Sequence, residues 1–123
     1  MIKKKYSEHN LVPCEYAREM REIIGSGEYG NAGIAIAVDL EHMDAHYHDT
    51  FDEIYFVLEG NMKFEFFNPD SGERWIEELV PNETVIVAKG VHHKILRASG
   101  HNRLLVVSIP PYRPDDENPS DRI

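Results

Sequence analysis

Cysteine is almost missing from the sequence, because Cys14 is the only one in 123 residues. A single thiol cannot build an intrachain disulfide framework, which fits a reducing compartment. Long apolar runs are also missing, and none approaches the roughly 20 residues that a bilayer-spanning helix needs. No apolar segment follows Met1 and the nearby lysines, as it would in a signal peptide. We therefore expect a cytoplasmic protein that makes no membrane contact.

Positive charge is scarce as well. The sequence has 13 Lys and Arg against 22 Asp and Glu, which gives a formal net charge of −9. The only basic cluster is Lys3–Lys5, so nucleic acid and anionic membranes are poor partners for this chain. The length suits one domain with a substantial core. We expect the partner to be a small molecule.

Short apolar segments separated by turn residues dominate residues 30–110. They recur about every 8–12 residues, which is typical of an antiparallel sandwich or barrel. Gly60 and its neighbours predict a hairpin between 53–60 and 61–68, and 74–80 is expected to pair with 61–67. The predicted fold class is therefore all-β. The segments are 33–38, 53–60, 61–68, 74–80, 84–90, 91–98 and 102–109.

The two ends of the chain carry weaker signals. Residues 14–24 fit helical spacing and strand alternation about equally well, so a short helix and an edge strand are both open. Residues 111–123 are rich in proline and charge and should form an extended tail over the surface. We divide the chain into an N-terminal arm (1–29), a barrel (30–110) and this C-terminal tail.

The stretch AHYHDTFDEIYFVLEG, residues 45–60, combines residues that bind metals. Alternation along a strand places His46 and His48 on one face, as two ligands of one ion require. Glu53 opens the next strand after a short turn and would add a carboxylate. The stretch therefore predicts three ligands of a metal site.

A fourth ligand can come from KGVHHKI, which offers His92 and His93. The alternation of that strand places the two on opposite faces, and the chemistry alone does not choose between them. Two or three imidazoles and a carboxylate suit one divalent Fe, Mn, Ni, Co, Zn or Cu ion per chain. Such a set leaves coordination positions for water, substrate or O₂.

Two further side chains are candidates for the pocket. Tyr55 shares a strand face with Glu53 and fits core packing about as well as a role as a general base. Arg97 shares a face with His93 and could bind a substrate carboxylate or phosphate, although a salt bridge at the rim is the favoured alternative.

These residues resemble the cupin superfamily. Its first motif is written G-x5-H-x-H-x3/4-E-x6-G, and the chain matches it from His46 and His48 through Glu53 to Gly60. Leu40 stands where the motif begins with glycine.

The second cupin motif is G-x5-P-x-G-x2-H-x3-N, and Gly90 and His93 match it. Asn82, Ala88 and Arg97 stand at its other three positions. These departures fall on turn and rim positions and leave the proposed ligands in place.

The resemblance covers residues 30–110. It implies a small single-domain cupin, an antiparallel jelly-roll barrel of six to eight strands with a metal inside one mouth. It carries the family ligands over to His46, His48, Glu53 and His93, so that His92 would face solvent. In some cupins a segment similar to 14–24 packs against a neighbouring subunit. The resemblance therefore implies a homodimer, with the N-terminal arm packed on the barrel or on the partner subunit.

The resemblance is compatible with three functions. The first is a metal-dependent isomerase or lyase acting on a sugar, a sugar acid or a related hydroxy-carbonyl compound, with Tyr55 as a possible base and Arg97 as a possible anion-binding group. The second is an Fe(II)-dependent dioxygenase. The third is a non-catalytic domain that binds a small molecule or sugar. The aromatic wall expected from Tyr55, Phe64 and Phe66 favours a substrate with an apolar part.

Overall fold

Eleven strands form two antiparallel sheets around one core. The computed structural model describes residues 1–123. The strands are β1 (Asn10–Val12), β2 (Ala17–Ile24), β3 (Gly33–Leu40), β4 (Met43–Tyr47), β5 (Asp52–Glu59), β6 (Met62–Asn68), β7 (Glu73–Leu79), β8 (Thr84–Val87), β9 (His92–Ala98), β10 (Arg103–Ile109) and β11 (Asn118–Pro119). Two short 3₁₀ helices lie at Tyr6–Glu8 and Pro114–Asp116. Neither they nor any other helix has the length and apolarity to cross a bilayer.

The two sheets divide the strands between them. One sheet has the order β1-β2-β3-β10-β5-β8 and the other the order β11-β4-β9-β6-β7. The all-β antiparallel prediction is confirmed. The pairing of β6 with β7, predicted for residues 61–67 and 74–80, is also observed, with Phe66 opposite Trp75.

The core fills the space between the sheets, because alternate residues of the central strands point inward. On β5 these include Tyr55 and Val57, and on β6 they include Met62 and Phe64, each at most 4% exposed. Burying each large apolar side chain contributes about 1.5–3 kcal/mol to folding. The cluster consists of Ala37, Leu40, Tyr55, Val57, Met62, Phe64, Phe66, Leu79, Val87, Val91, Ile95 and Leu104.

The turn at Gly60 does not close a hairpin, so that prediction is wrong. Strand β5 pairs with β8 and β10, whereas β6 pairs with β7 and β9, so the turn carries the chain from one sheet to the other. Gly60 has a φ of 77°, in the left-handed region. A Cβ there would overlap the carbonyl oxygen of His101, which explains why glycine suits this position.

Both ends of the chain join the sheets. Residues 17–24 form strand β2 and not a helix, and β2 pairs with β3, with Met20 opposite Ala37. The C-terminal tail is more ordered than its composition predicts. Its strand β11 pairs with β4 and places Asn118 opposite Tyr47, so the tail extends the five-stranded sheet.

Candidate metal centre

Three histidines converge between the two sheets. His46 lies on β4 and His93 lies opposite it on β9, while His48 follows the end of β4. One ring nitrogen from each lies within 4.8 Å of the others, and all three side chains are buried. The period-two alternation of β4 puts His46 and His48 on the same side, as predicted from their spacing. The cluster can therefore hold a metal ion.

Main-chain carbonyls fix the orientation of all three rings. His46 Nδ1 donates to Asp44 at 2.8 Å, His48 Nδ1 to Asp116 at 2.7 Å and His93 Nδ1 to Val91 at 3.0 Å. A carbonyl oxygen can only accept a hydrogen bond, so the proton of each neutral ring sits on Nδ1. Each Nε2 atom then keeps a lone pair for a ligand, as is usual for metal-binding histidines.

Two of these Nε2 atoms have no hydrogen-bond partner. They belong to His48, which is 3% exposed, and to His93, which is fully buried. Leaving a buried polar atom unpaired costs about 1–3 kcal/mol. Glu53 Oε1 lies 3.2 Å from His48 Nε2 and 3.6 Å from His93 Nε2. Lone pairs and a carboxylate that face one another can hold a cation between them, so the donor set fits a divalent transition metal.

Burial and the short distances between these ionisable groups shift their pKa values. Burial and the nearby His93 lower the pKa of His46 to about 4. Burial alone would lower the pKa of His48, but the Glu53 carboxylate outweighs it and raises the pKa. Burial alone would raise the pKa of Glu53, but His48 and His93 hold it well below its usual range. Glu53 is therefore ionised, and His48 is the nearer of its two histidine partners.

Tyr55 supports the carboxylate from inside the core. Its hydroxyl donates to Glu53 Oε1 at 2.8 Å, and the two residues share the inner face of β5. Burial raises the pKa of Tyr55 well above its usual value. The hydroxyl therefore stays protonated and is poorly suited to act as the base.

The C-terminal tail reaches the same site. Glu117 Oε1 lies 3.6 Å from His46 Nε2, and its other carboxylate oxygen accepts a hydrogen bond from Tyr112 at 3.2 Å. Sequence reasoning missed Glu117 and Tyr112. The available signal was the acidic run at 115–117, which reads as a solvated segment until the pairing of β11 with β4 is known.

The chain resembles known proteins in its three-dimensional fold. No protein-family model and no curated protein sequence matches the chain. The solved structure of oxalate decarboxylase from Bacillus subtilis at pH 4.6 matches 93% of this chain with a TM-score of 0.78 and 15% identity. KdgF from Halomonas sp. matches 90% of this chain and 94% of its own, with a TM-score of 0.70 and 16% identity. The chain has the cupin fold.

The two matches differ in extent. This chain spans only 31% of a Bacillus subtilis oxalate decarboxylase chain that was studied for its Mn(II) centres. In contrast, the chain matches 94% of the KdgF chain. At these identities the likeness concerns the fold, and the site must be judged from its own residues.

Arg97 does not share the inner face with His93, so that prediction is wrong. The register of β9 against β6 shifts at Leu96, which is an extra residue in the strand. Such a bulge turns the following side chain to the other face. Arg97 is 67% exposed there, with its guanidinium 3.8 Å from Glu78.

His92 does not face solvent, contrary to prediction. It is 7% exposed, its ring stacks on Tyr47 with 4.2 Å between centroids, and its Nδ1 lies 2.6 Å from Ser120 Oγ. The C-terminal tail covers this outer side of the five-stranded sheet. His92 is therefore enclosed but points away from the three-histidine cluster.

A cavity of about 720 Å³ adjoins the three-histidine cluster, and His46, His48 and Glu53 form part of its wall. The rest of the wall comes mainly from β2, β3, β10 and the tail and is largely apolar. Of the predicted aromatic wall, Tyr55 and Phe64 line the cavity, whereas Phe66 does not. The site is thus open to a small organic molecule.

Proposed function

We propose that this cupin binds one divalent transition-metal ion per chain through His46, His48, Glu53 and His93. The observation that carries the proposal is the set of buried Nε2 atoms that have no partner and face Glu53. The Nδ1 bonds to main-chain carbonyls support it, because they hold each ring in the ligand tautomer. The Mn(II) centres of the Bacillus subtilis oxalate decarboxylase support Mn(II) as the first ion to test.

We propose further that the protein is an enzyme that moves a proton on a small hydroxy-carbonyl metabolite, with isomerase or lyase chemistry. The bound metal would act as a Lewis acid toward an oxygen of the substrate. Glu117 supports this reaction class, because its carboxylate lies at the cavity wall beside His46 and can accept a proton. Tyr55 positions Glu53 and takes no part in the transfer. Oxalate is not proposed as the substrate, because no lysine or arginine lines the cavity.

Proton transfer can be followed without knowing the natural substrate. Metal-loaded protein is incubated in D₂O with a panel of small hydroxy-ketones, sugars and sugar acids, and carbon-bound hydrogen exchange is read by NMR. We expect exchange with at least one compound, lost on metal removal and reduced about 100-fold or more by Glu117→Gln. Glu73→Gln, which removes a surface carboxylate on β7, should leave exchange unchanged.

Other outcomes select the other functions. O₂ uptake that requires Fe(II) and a substrate, without hydrogen exchange, would identify a dioxygenase. Ligand binding without exchange or O₂ uptake would identify a non-catalytic binding domain. Equal exchange rates in the wild type and in Glu117→Gln would contradict the role of Glu117.

The homodimer stays a prediction. Strand β1 lies at the edge of the six-stranded sheet, and its free side can pair with a second copy. Light scattering coupled to size-exclusion chromatography tests this, and a monomer at all concentrations would contradict it.

A further inference from the structure

The cavity wall carries carboxylates but no fixed positive charge. Glu15, Glu22, Glu53 and Glu117 line it, and none of the 13 lysines and arginines does. Cationic side chains are instead paired with carboxylates elsewhere on the surface, as with Arg18, Arg21, Lys94, Arg97, Arg103 and Arg113. The cavity therefore differs in charge from a site that is built to hold an anion.

Glu22 is the carboxylate that the metal site does not explain. It lies on β2, is half-buried, faces the cavity and makes neither an ion pair nor a hydrogen bond. Its carboxylate packs against Gly25, where a Cβ would collide with it. A carboxylate held in an apolar wall without a partner favours a cation or a hydrogen-bond donor beside it.

A ligand is also indicated independently of the carboxylates. His48 lines this cavity, its side chain is 3% exposed, and its Nε2 atom has no hydrogen-bond partner. With a divalent ion there and Glu53 bound to it, one positive charge remains, and Glu22 together with Glu117 outweighs it. The metal-loaded cavity is therefore negative overall.

The remaining wall suits an organic cation. Tyr16, Tyr55, Phe64 and Tyr112 line the cavity, and aromatic faces attract ammonium groups. Alkylated ammonium groups are weakly hydrated, so they can also lie against the aliphatic residues of β2 and β3. A substrate with a second negative charge would meet no lysine or arginine beyond the metal, and it would be repelled by the carboxylates.

We infer that the cavity selects a small molecule whose metal-binding oxygen group is joined to a neutral or, preferably, a positively charged organic part. This inference rests on the proposed metal site, because the ion would hold the oxygen end. It narrows the proposed substrates from hydroxy-carbonyl compounds in general to amino- or ammonium-bearing ones. Glu22 is the residue to which we assign the preference for positive charge.

Two ligands of the same shape test the inference. Glycine betaine and 3,3-dimethylbutanoate share a carboxylate and differ by a quaternary nitrogen in place of carbon. Isothermal titration of the Mn(II)-loaded protein should show betaine binding about tenfold more tightly. Glu22→Gln should reduce this preference about threefold or more, and Glu73→Gln, which removes the same charge far from the cavity, should preserve it.

The outcomes separate this inference from the metal proposal. Manganese content and circular dichroism are measured on every sample. If Mn(II) is retained but dimethylbutanoate binds as tightly as betaine, or neither binds, the charge preference is wrong while the metal site stands. If the preference is present and Glu22→Gln leaves it intact in a folded protein, the assignment to Glu22 is wrong. Failure of the wild type to retain any divalent metal would overturn both proposals.

Discussion

His48 donates a hydrogen bond from Nδ1 to the main-chain carbonyl of Asp116 at 2.7 Å, across 68 positions of sequence. The side chain of Asp116 simultaneously accepts hydrogen bonds from the main-chain N–H groups of Asp49 and Thr50. One tail residue therefore holds both the turn after β4 and the ring of a proposed ligand. Because of this bond, the C-terminal tail is part of the candidate metal centre.

Replacing Asp116 with alanine should weaken metal binding. Loss of the carboxylate frees the turn at Asp49 and Thr50 and loosens the carbonyl that orients His48. Mutation of such supporting groups costs about 10- to 100-fold in metal affinity, and we expect a value in that range. Competition titration against a chromophoric chelator measures the metal affinity.

Asp115→Ala is the matched control, because Asp115 is 68% exposed and pairs only with Arg113. Equal affinities of the two variants would contradict this role.

Tyr55→Phe should lower metal affinity about tenfold and leave the fold intact. The phenyl ring keeps its place in the core, but Glu53 loses the hydrogen bond that holds its carboxylate toward the histidines. The same chelator competition gives the affinity, and urea denaturation gives the stability. Tyr29→Phe removes an exposed hydroxyl as a control. An unchanged affinity in Tyr55→Phe would show that Glu53 needs no support.

Metal affinity should fall as the pH is lowered. The raised pKa of His48 means that a proton competes with the metal for Nε2 already near and above pH 6.5, its ordinary value. His46, with a pKa of about 4, adds competition only at much lower pH. We expect affinity to decline by up to about tenfold per pH unit between roughly pH 7 and 5. Titrations across this interval measure the slope, and a flat profile would contradict the involvement of His48.

Gly60→Ala should destabilise the protein more than Gly72→Ala. Both glycines have a positive φ, so each substitution costs about 1–2 kcal/mol from the left-handed backbone. Only at Gly60 would the new Cβ also overlap the carbonyl of His101, whereas Gly72 has open space around it. The free energy of unfolding in urea measures the difference. Equal losses would show that the Gly60 turn relaxes freely.

The sequence predicted the parts of the fold that depend on local periodicity. Alternation located most of the strands and put His46 and His48 on one face, and the motif spacing pointed to His93. It did not predict the path at Gly60, because a turn between two sheets and a hairpin turn need the same positive φ. Nor did it predict the bulge at Leu96, which reverses the direction of Arg97, because a bulge depends on the partner strand.

The contribution of the C-terminal tail to the candidate site could not be predicted from the sequence either. Glu117 and Asp116 lie in a charged, proline-rich segment, and such composition usually indicates solvated chain. Their place in the site depends on the pairing of β11 with β4, a contact between residues about 70 positions apart. Only the fold brings these two segments together.

Metal content is the most direct test of the central claim. Wild type and His46→Ala/His93→Ala are purified side by side and analysed by inductively coupled plasma mass spectrometry after dialysis. His42→Ala/His101→Ala removes two exposed imidazoles and serves as the matched control. We predict about one divalent ion per chain in the wild type and the control, and less than about a tenth of that in His46→Ala/His93→Ala. The same metal content in all three proteins would contradict the site.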